Sequence, residues 1–243
     1  GVLRNSNAMW IGAGAELPAQ SIDNSGTLAI GAGGTLEGLG NTLDNSGTLT
    51  LADGASVLDA GAINNADGGL IRFDGSGTIA ANLGDTDTAI NNAGQIVTAG
   101  ASGDTVTIGD GSANVFNNLQ DGEFILGAGT VVSATQTDLR NAGTVAINSG
   151  ARLGLDELSN SGSLSNAGTL SVAGGLANTG SFENTGTLTA DLTQTAGSTI
   201  NSGTLGNVTQ SGGTGSNSGT VTGGGVITDQ LSANGRAAWR ERV

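Results

Sequence analysis

Residues 158–188 read Leu158-Ser-Asn-Ser-Gly-Ser-Leu164-Ser-Asn-Ala-Gly-Thr-Leu170-Ser-Val-Ala-Gly-Gly-Leu176-Ala-Asn-Thr-Gly-Ser-Phe182-Glu-Asn-Thr-Gly-Thr-Leu188. Leu158, Leu164, Leu170, Leu176, Phe182 and Leu188 fall every six residues, and four of the five intervals carry Asn-x-Gly. A period of six fits neither a helical stripe of 3.6 nor a long strand of strict period two. It fits short extended segments separated by corners. At each corner the expected role of Gly is positive φ, and that of Asn is to tolerate the left-handed region while bonding the local backbone. Gly162 and Gly180 are 18 residues apart, as are Gly168 and Gly186, so three sides make one rung. Stacked rungs would pair their backbones in parallel ladders at ~4.8 Å per rung. The six apolar residues would then stack on their copies, and Asn on Asn would form an amide ladder.

Outward from this stretch the same corner recurs in longer rungs. Ile22-Asp-Asn24-Ser-Gly26-Thr-Leu28 is followed 21 residues later by Leu43-Asp-Asn45-Ser-Gly47-Thr-Leu49. Further copies lie at Ile90 to Ile96 and Leu139 to Val145. Inserting two residues at the corner recovers Ile63-Asn-Asn65 before Gly69-Leu-Ile71, and Phe116-Asn-Asn118 before Gly122-Glu-Phe124. The predicted structural ladder is therefore Asn24, Asn45, Asn65, Asn92, Asn118, Asn141, Asn160 and Asn178. A second corner precedes Leu36, Val57, Ile79, Val131 and Leu153. Beyond Leu188 the rungs shorten to 17 and then 16 residues, with Leu192, Ile200, Leu205, Val208, Val221 and Val226 left to fill the interior.

The expected fold is all-β, a single parallel β-solenoid (β-helix) with three-sided rungs. Residues 21–226 form about ten rungs, roughly 50 Å long at ~4.8 Å each. Residues 1–20 differ in composition, with Met9-Trp10-Ile11 and the only proline, and read as an N-terminal cap or interface segment. Residues 227–243 leave the repeat and read as a C-terminal cap or docking tail. Gly1-Val-Leu-Arg is neither a signal peptide nor a transmembrane span, and reads as the start of a segment cut from something longer.

Composition narrows the function classes. Of 243 residues 45 are Gly and 2% aromatic, which alone would suit disorder. A disordered linker, however, has no reason to hold Leu, Ile and Val in register with Asn-x-Gly. Twenty-one acids against seven arginines and no lysine give a formal net charge of −14. That disfavours nucleic acid and anionic membrane, which both need a basic surface. Without cysteine, neither disulfides nor thiol redox chemistry is available.

Each candidate chemistry has a plainer rival. Asp85 and Asp87, with Asp74, Asp104, Asp110 and Asp121, suggest a calcium site, since hard cations want several oxygen ligands; the calcium-binding Gly-Gly-x-Gly-x-Asp spacing is missing, and solvated loop acids explain them more simply. A polysaccharide lyase or glycosidase needs paired acids or a base beside cations, usually with aromatic platforms. This chain has no Tyr, His or Lys, so no catalytic residue and no cofactor is assigned. A hexapeptide acyltransferase would need a histidine base, which is lacking. Thr-x-Thr pairs do not recur on every rung, as an ice-binding face would require, and Thr is an ordinary outward strand residue. Trp10 and Trp239 lie near opposite ends, where an open solenoid exposes unpaired backbone. Either each Trp caps its own end, or the tail carrying Arg236, Trp239, Arg240 and Arg242 docks on the acidic next subunit and propagates a fibre.

Asn-Ser-Gly-Thr-Leu at 24–28, 45–49 and 201–205, with variants over most of 22–226, resembles the β-helical passenger regions of bacterial type V secreted proteins, the autotransporters and filamentous-haemagglutinin-like adhesins. The resemblance implies right-handed coiling, export to the cell surface or medium, and a role in adhesion, biofilm or surface structure. It leads to a non-enzymatic structural or adhesive solenoid. Its partners would be itself end to end, the flanking domains of a longer precursor, or a host or matrix glycan. The alternative is a carbohydrate-binding or carbohydrate-cleaving β-helix using the acidic loops of 74–121.

Overall fold

Alternation decides each strand. In Ser21–Asn24 the side chains of Ile22 and Asn24 are buried and Asp23 is exposed; in Thr27–Ile30 the buried pair is Leu28 and Ile30. Most sides hold two inward residues before the chain turns, and the longer strands Asn114–Asn118 and Thr137–Asn141 hold three. The computed structural model describes residues 1–38, 42–81, 89–99, 103–109 and 114–227. Over these the chain is a parallel β-solenoid with three strands per turn. The first turn is Val2–Asn5, Ala8–Ile11 and Glu16–Ala19, and the second is Ser21–Asn24, Thr27–Ile30 and Thr35–Gly38.

The second side stacks into an eleven-stranded sheet. The first and third sides merge into one 21-stranded sheet, because Arg152–Asn160 and Thr169–Asn178 run through the third corner without a break. Among the described residues there is no helix long and apolar enough to cross a membrane.

Register follows the apolar positions. Leu158 lies on Leu176, Leu164 on Phe182 and Leu170 on Leu188, so the six-residue spacing does mark three sides of one turn. The 21-residue turns keep the same columns, with Ile22 on Leu43 and Leu28 on Leu49. Two-residue insertions are absorbed at the corner: Ile63 still lies on Leu43 and Ile71 on Leu49. A one-residue slip would turn each inward set outward, and burial of one face prevents it. Each fully buried Leu or Ile contributes about 1.5–3 kcal/mol. Phe116 and Phe124 meet edge to face with ring centroids 5.0 Å apart.

The corners differ from expectation in their physics. Asn-x-Gly glycines such as Gly47 and Gly180 do not have positive φ; among the described non-glycine residues only Asp59 does, at 57°. What these positions exclude is a side chain. A Cβ on Gly47 would lie 2.1 Å from the carbonyl oxygen of Gly26, and one on Gly180 would lie 2.2 Å from that of Gly162. Stacked corners are therefore in backbone contact, and the parallel ladder continues through them, as in Thr48 N–H to Gly26 C=O at 2.8 Å. Positive φ is commoner at the corner between second and third sides, as at Gly33 (65°) and Gly54 (72°), and appears at the first corner only where that corner is built differently, as at Gly68, Gly197 and Gly213.

Residues 2–19 form a full turn in register with the next, Val2 to Ser21 and Glu16 to Thr35, despite their different composition. Two further differences concern one register and the C-terminal turns. Val132 rather than Val131 faces inward, stacked on Leu153. In the C-terminal turns Thr199 occupies the inward position while Ile200 is 54% exposed, and Val226 is 56% exposed. Residues 228–243 lie outside the described residues.

Candidate functional site: buried amide ladders and an acidic cleft

The last inward position of the first side is Asn in nine consecutive turns, from Asn5 to Asn178. These residues are 0–6% exposed, where an unpaired carboxamide would be costly. Each is satisfied by the turn above. Asn24 Nδ2 donates to Asn45 Oδ1 at 2.7 Å and to the Thr48 carbonyl at 3.1 Å. Asn118 Nδ2 likewise donates to Asn141 Oδ1 at 2.8 Å and to the Thr144 carbonyl at 3.0 Å. The carbonyl accepts only, so it fixes which amide atom faces the next turn. All eight Asn-to-Asn bonds, at 2.7–2.8 Å, consequently donate in the same C-terminal direction.

A second ladder begins where the second side changes character. Its last inward column is apolar at Ile30, Leu51, Phe73, Leu126 and Ile147, with Thr98 as the exception. Asn166 then stacks on Ile147 and starts a chain through Asn184 and Asn201 to Asn217, with bonds of 2.7–2.8 Å. The first ladder meanwhile ends, as Gln194 and Gln210 continue the column of Asn178. The longer Gln194 side chain reaches the Thr214 carbonyl at 2.9 Å. Asn5 and this separate second ladder were missed by sequence reasoning. The signal was present, since Asn166, Asn184, Asn201 and Asn217 are each followed by x-Gly. What sequence did not reveal is which side each one closes.

The stacked apolar residues Leu158, Leu164, Leu170, Leu176, Phe182 and Leu188 are all buried in the same interior. Trp10 sits on the outer face of the second side, in register with Ala29, and is 72% exposed. Asp85, Asp87, Asp110, Arg236, Trp239, Arg240 and Arg242 lie outside the described residues. Asp74 pairs with Arg72 on the surface, and such an exposed pair contributes little. Among the described residues no three acids or other ligand types come together as a metal-holding group.

One concavity has a simple origin. The corners 66–69 and 119–122 each carry the two-residue insertion and close on themselves, Gly69 N–H to Ala66 C=O at 2.8 Å and Gly122 N–H to Leu119 C=O at 2.9 Å. Between them the corner at Ala93-Gly94 is short. Long, short, long leaves a cleft of about 320 Å³ with Ala93, Gly94 and Gln95 as floor and Asp67, Asp121 and Glu123 on its walls. Gln95 Nε2 donates to Glu123 Oε2 at 2.8 Å and bridges floor to wall. Carboxylates are acceptors suited to hydroxyl groups. Sequence reading named Asp121 but neither Asp67 nor Glu123, although both insertions were visible.

No protein-family model matches this sequence, and searches of curated proteins and of solved structures return no match either.

Proposed function

We propose that the chain is a non-enzymatic structural rod, secreted or held at a cell surface, serving as a stalk like those of β-helical passenger regions. One observation carries this reading: what repeats from turn to turn is inside. The inward first-side columns hold apolar and Asn with little variation, while the outward column of the same strands runs Arg4, Asp23, Asp44, Asn64, Asn91, Asn117 and Arg140. The sequence regularity thus specifies the rod, and its surface varies. Eleven stacked strands would give a rod roughly 50 Å long at ~4.8 Å per step. Negative-stain microscopy of the purified chain should show uniform short rods, and clear turnover in a reducing-sugar assay would sink the reading.

The cleft at Asp67, Gln95 and Asp121 favours a second reading, adhesion through a carbohydrate. A glycan array would separate the two: binding abolished by Asp67→Ala with Asp121→Ala, in a chain that melts normally, would place an adhesive site on the rod.

A further inference from the structure

The outward column of the first side varies along the rod, yet its middle is ordered. Asn117 Nδ2 donates to Asn91 Oδ1 and Asn91 Nδ2 to Asn64 Oδ1, each at 2.9 Å, and Asn64 Nδ2 donates to Asp44 Oδ1 at 2.8 Å. Asn64 and Asn91 thereby use one N–H and one oxygen lone pair each, and a primary amide has two of both. A row of half-buried amides on an outer face is thus left with donors and acceptors for a partner. The row is bounded by an exposed acid, Asp44, on one side and an exposed cation, Arg140, on the other. Among the described residues Arg4 and Arg72 have a carboxylate within ion-pair distance and Arg140 has none, in a chain of 21 acids.

We propose that this face binds a second copy of the chain side by side, the two rods antiparallel about a two-fold axis that runs along the strand of Asn91. Turns equidistant from Asn91 then face each other. Asn91 meets its own copy and Asn64 meets Asn117; Asp44, two turns before Asn91, meets Arg140, two turns after it. The Asn64 and Asp44 pairs occur twice. Further out Asp23 faces Ser159 and Glu157 faces Ser21, so no two like charges lie opposite. Parallel rods would instead set Asp44 on Asp44 and Arg140 on Arg140. They would also align the common direction of the buried amide ladders, which antiparallel rods oppose. Nine facing turns of four-residue sides cover roughly 1,100 Å² for the pair, just above the ~1,000 Å² a specific interface needs. Association is therefore expected to be weak, at micromolar concentrations. The inference rests on register and charge, and holds independently of the rod's biological role.

The test is charge complementation in the full chain. Sedimentation should show a monomer–dimer equilibrium in the micromolar range. Asp44→Arg and Arg140→Asp should each weaken self-association at least tenfold, because each sets like charges opposite one another twice. Mixed in equal amounts, the two variants should recover wild-type association, since each supplies the charge the other lacks. A second measurement depends on neither variant. A nitroxide on Ser159→Cys, at an exposed position of a chain with no other cysteine, should lie roughly 30 Å from its copy, the labels standing three turns on opposite sides of Asn91. In parallel rods the labels would approach to about 10 Å. A wild-type chain that stays monomeric to millimolar concentration, single variants that associate as wild type does, a mixture no better than its components, or labels about 10 Å apart would overturn the proposal.

Discussion

Turns between Ile22 and Ile147 and turns between Leu158 and Val221 share a backbone plan but not an interior. In the first group the second side ends in an apolar residue except at Thr98; in the second it ends in Asn166, Asn184, Asn201 or Asn217. A buried Ile or Leu contributes about 1.5–3 kcal/mol, and a satisfied hydrogen bond about 1 kcal/mol net. The exchange trades stability for register, since an amide ladder tolerates no slip. Near the C-terminal end even the remaining apolar positions thin out: Thr199 and Gly215 stand where Leu164 and Phe182 stood, and no residue of Thr214–Asn217 is fully buried. Stability in stacked repeats is a sum over neighbouring interfaces, so the coil should open from this end turn by turn.

The largest contrast comes from core truncation. Phe124→Ala should cost about 3–5 kcal/mol and lower the main thermal transition. Leu205→Ala should cost about 2 kcal/mol or less in that transition, appearing mainly as faster amide exchange in residues 198–222. Equal losses in the main transition would end the distinction between the two halves.

Next in size are the corner glycines, which serve as a control. Gly47→Ala and Gly203→Ala place a Cβ 2.1 and 2.0 Å from the carbonyl below, the same collision in both halves. Each should cost roughly 3 kcal/mol locally, read by exchange, because something in the stacked backbone must shift. Gly54→Ala meets no atom nearer than 3.5 Å, and its positive φ should cost only about 1 kcal/mol.

The effect of replacing a ladder amide by an acid depends on pH and nearly vanishes in acid. In Asn118→Asp a protonated carboxyl can both accept from Asn92 and donate to Asn141, whereas the anion cannot donate. Burial raises the folded-state pKa of such a group above its unfolded value. The variant should therefore approach wild-type stability at low pH and lose about 1–3 kcal/mol as pH rises through the folded pKa. Asn201→Asp, in the thinner half, should lose less. Melting curves between acid and neutral pH decide both.

Most of the architecture was legible because six-residue spacing and Asn-x-Gly are local marks of a turn. The distances of 18 and 21 residues between equivalent corners translated directly into strand register. Other features were hidden for physical reasons. Which atom a corner Gly must avoid depends on the turn beneath, so Gly47 looked like a φ problem when it is a contact problem. Thr199 and Ile200 could not be ordered from hydropathy, because stacking on Phe182 and Glu183 sets the direction. The first turn was obscured by Trp10 and Pro18, both of which point outward or half outward without disturbing the ladder. The cleft follows from differences in corner length between successive turns, a relation between segments that no single motif contains.

The common orientation of the buried carboxamides has an electrical consequence. Backbone dipoles largely cancel in a sheet. Nine side-chain amides pointing the same way do not: with each comparable to a peptide dipole of about 3.5 D, they sum to about 30 D along the axis, hydrogen-rich toward the C-terminal end. The three bonds of the second ladder add to it, whereas the outer chain Asn117–Asn91–Asn64–Asp44 runs in the opposite sense. In its buried carboxamides the rod is a vector as well as a spacer, with a defined direction along its axis.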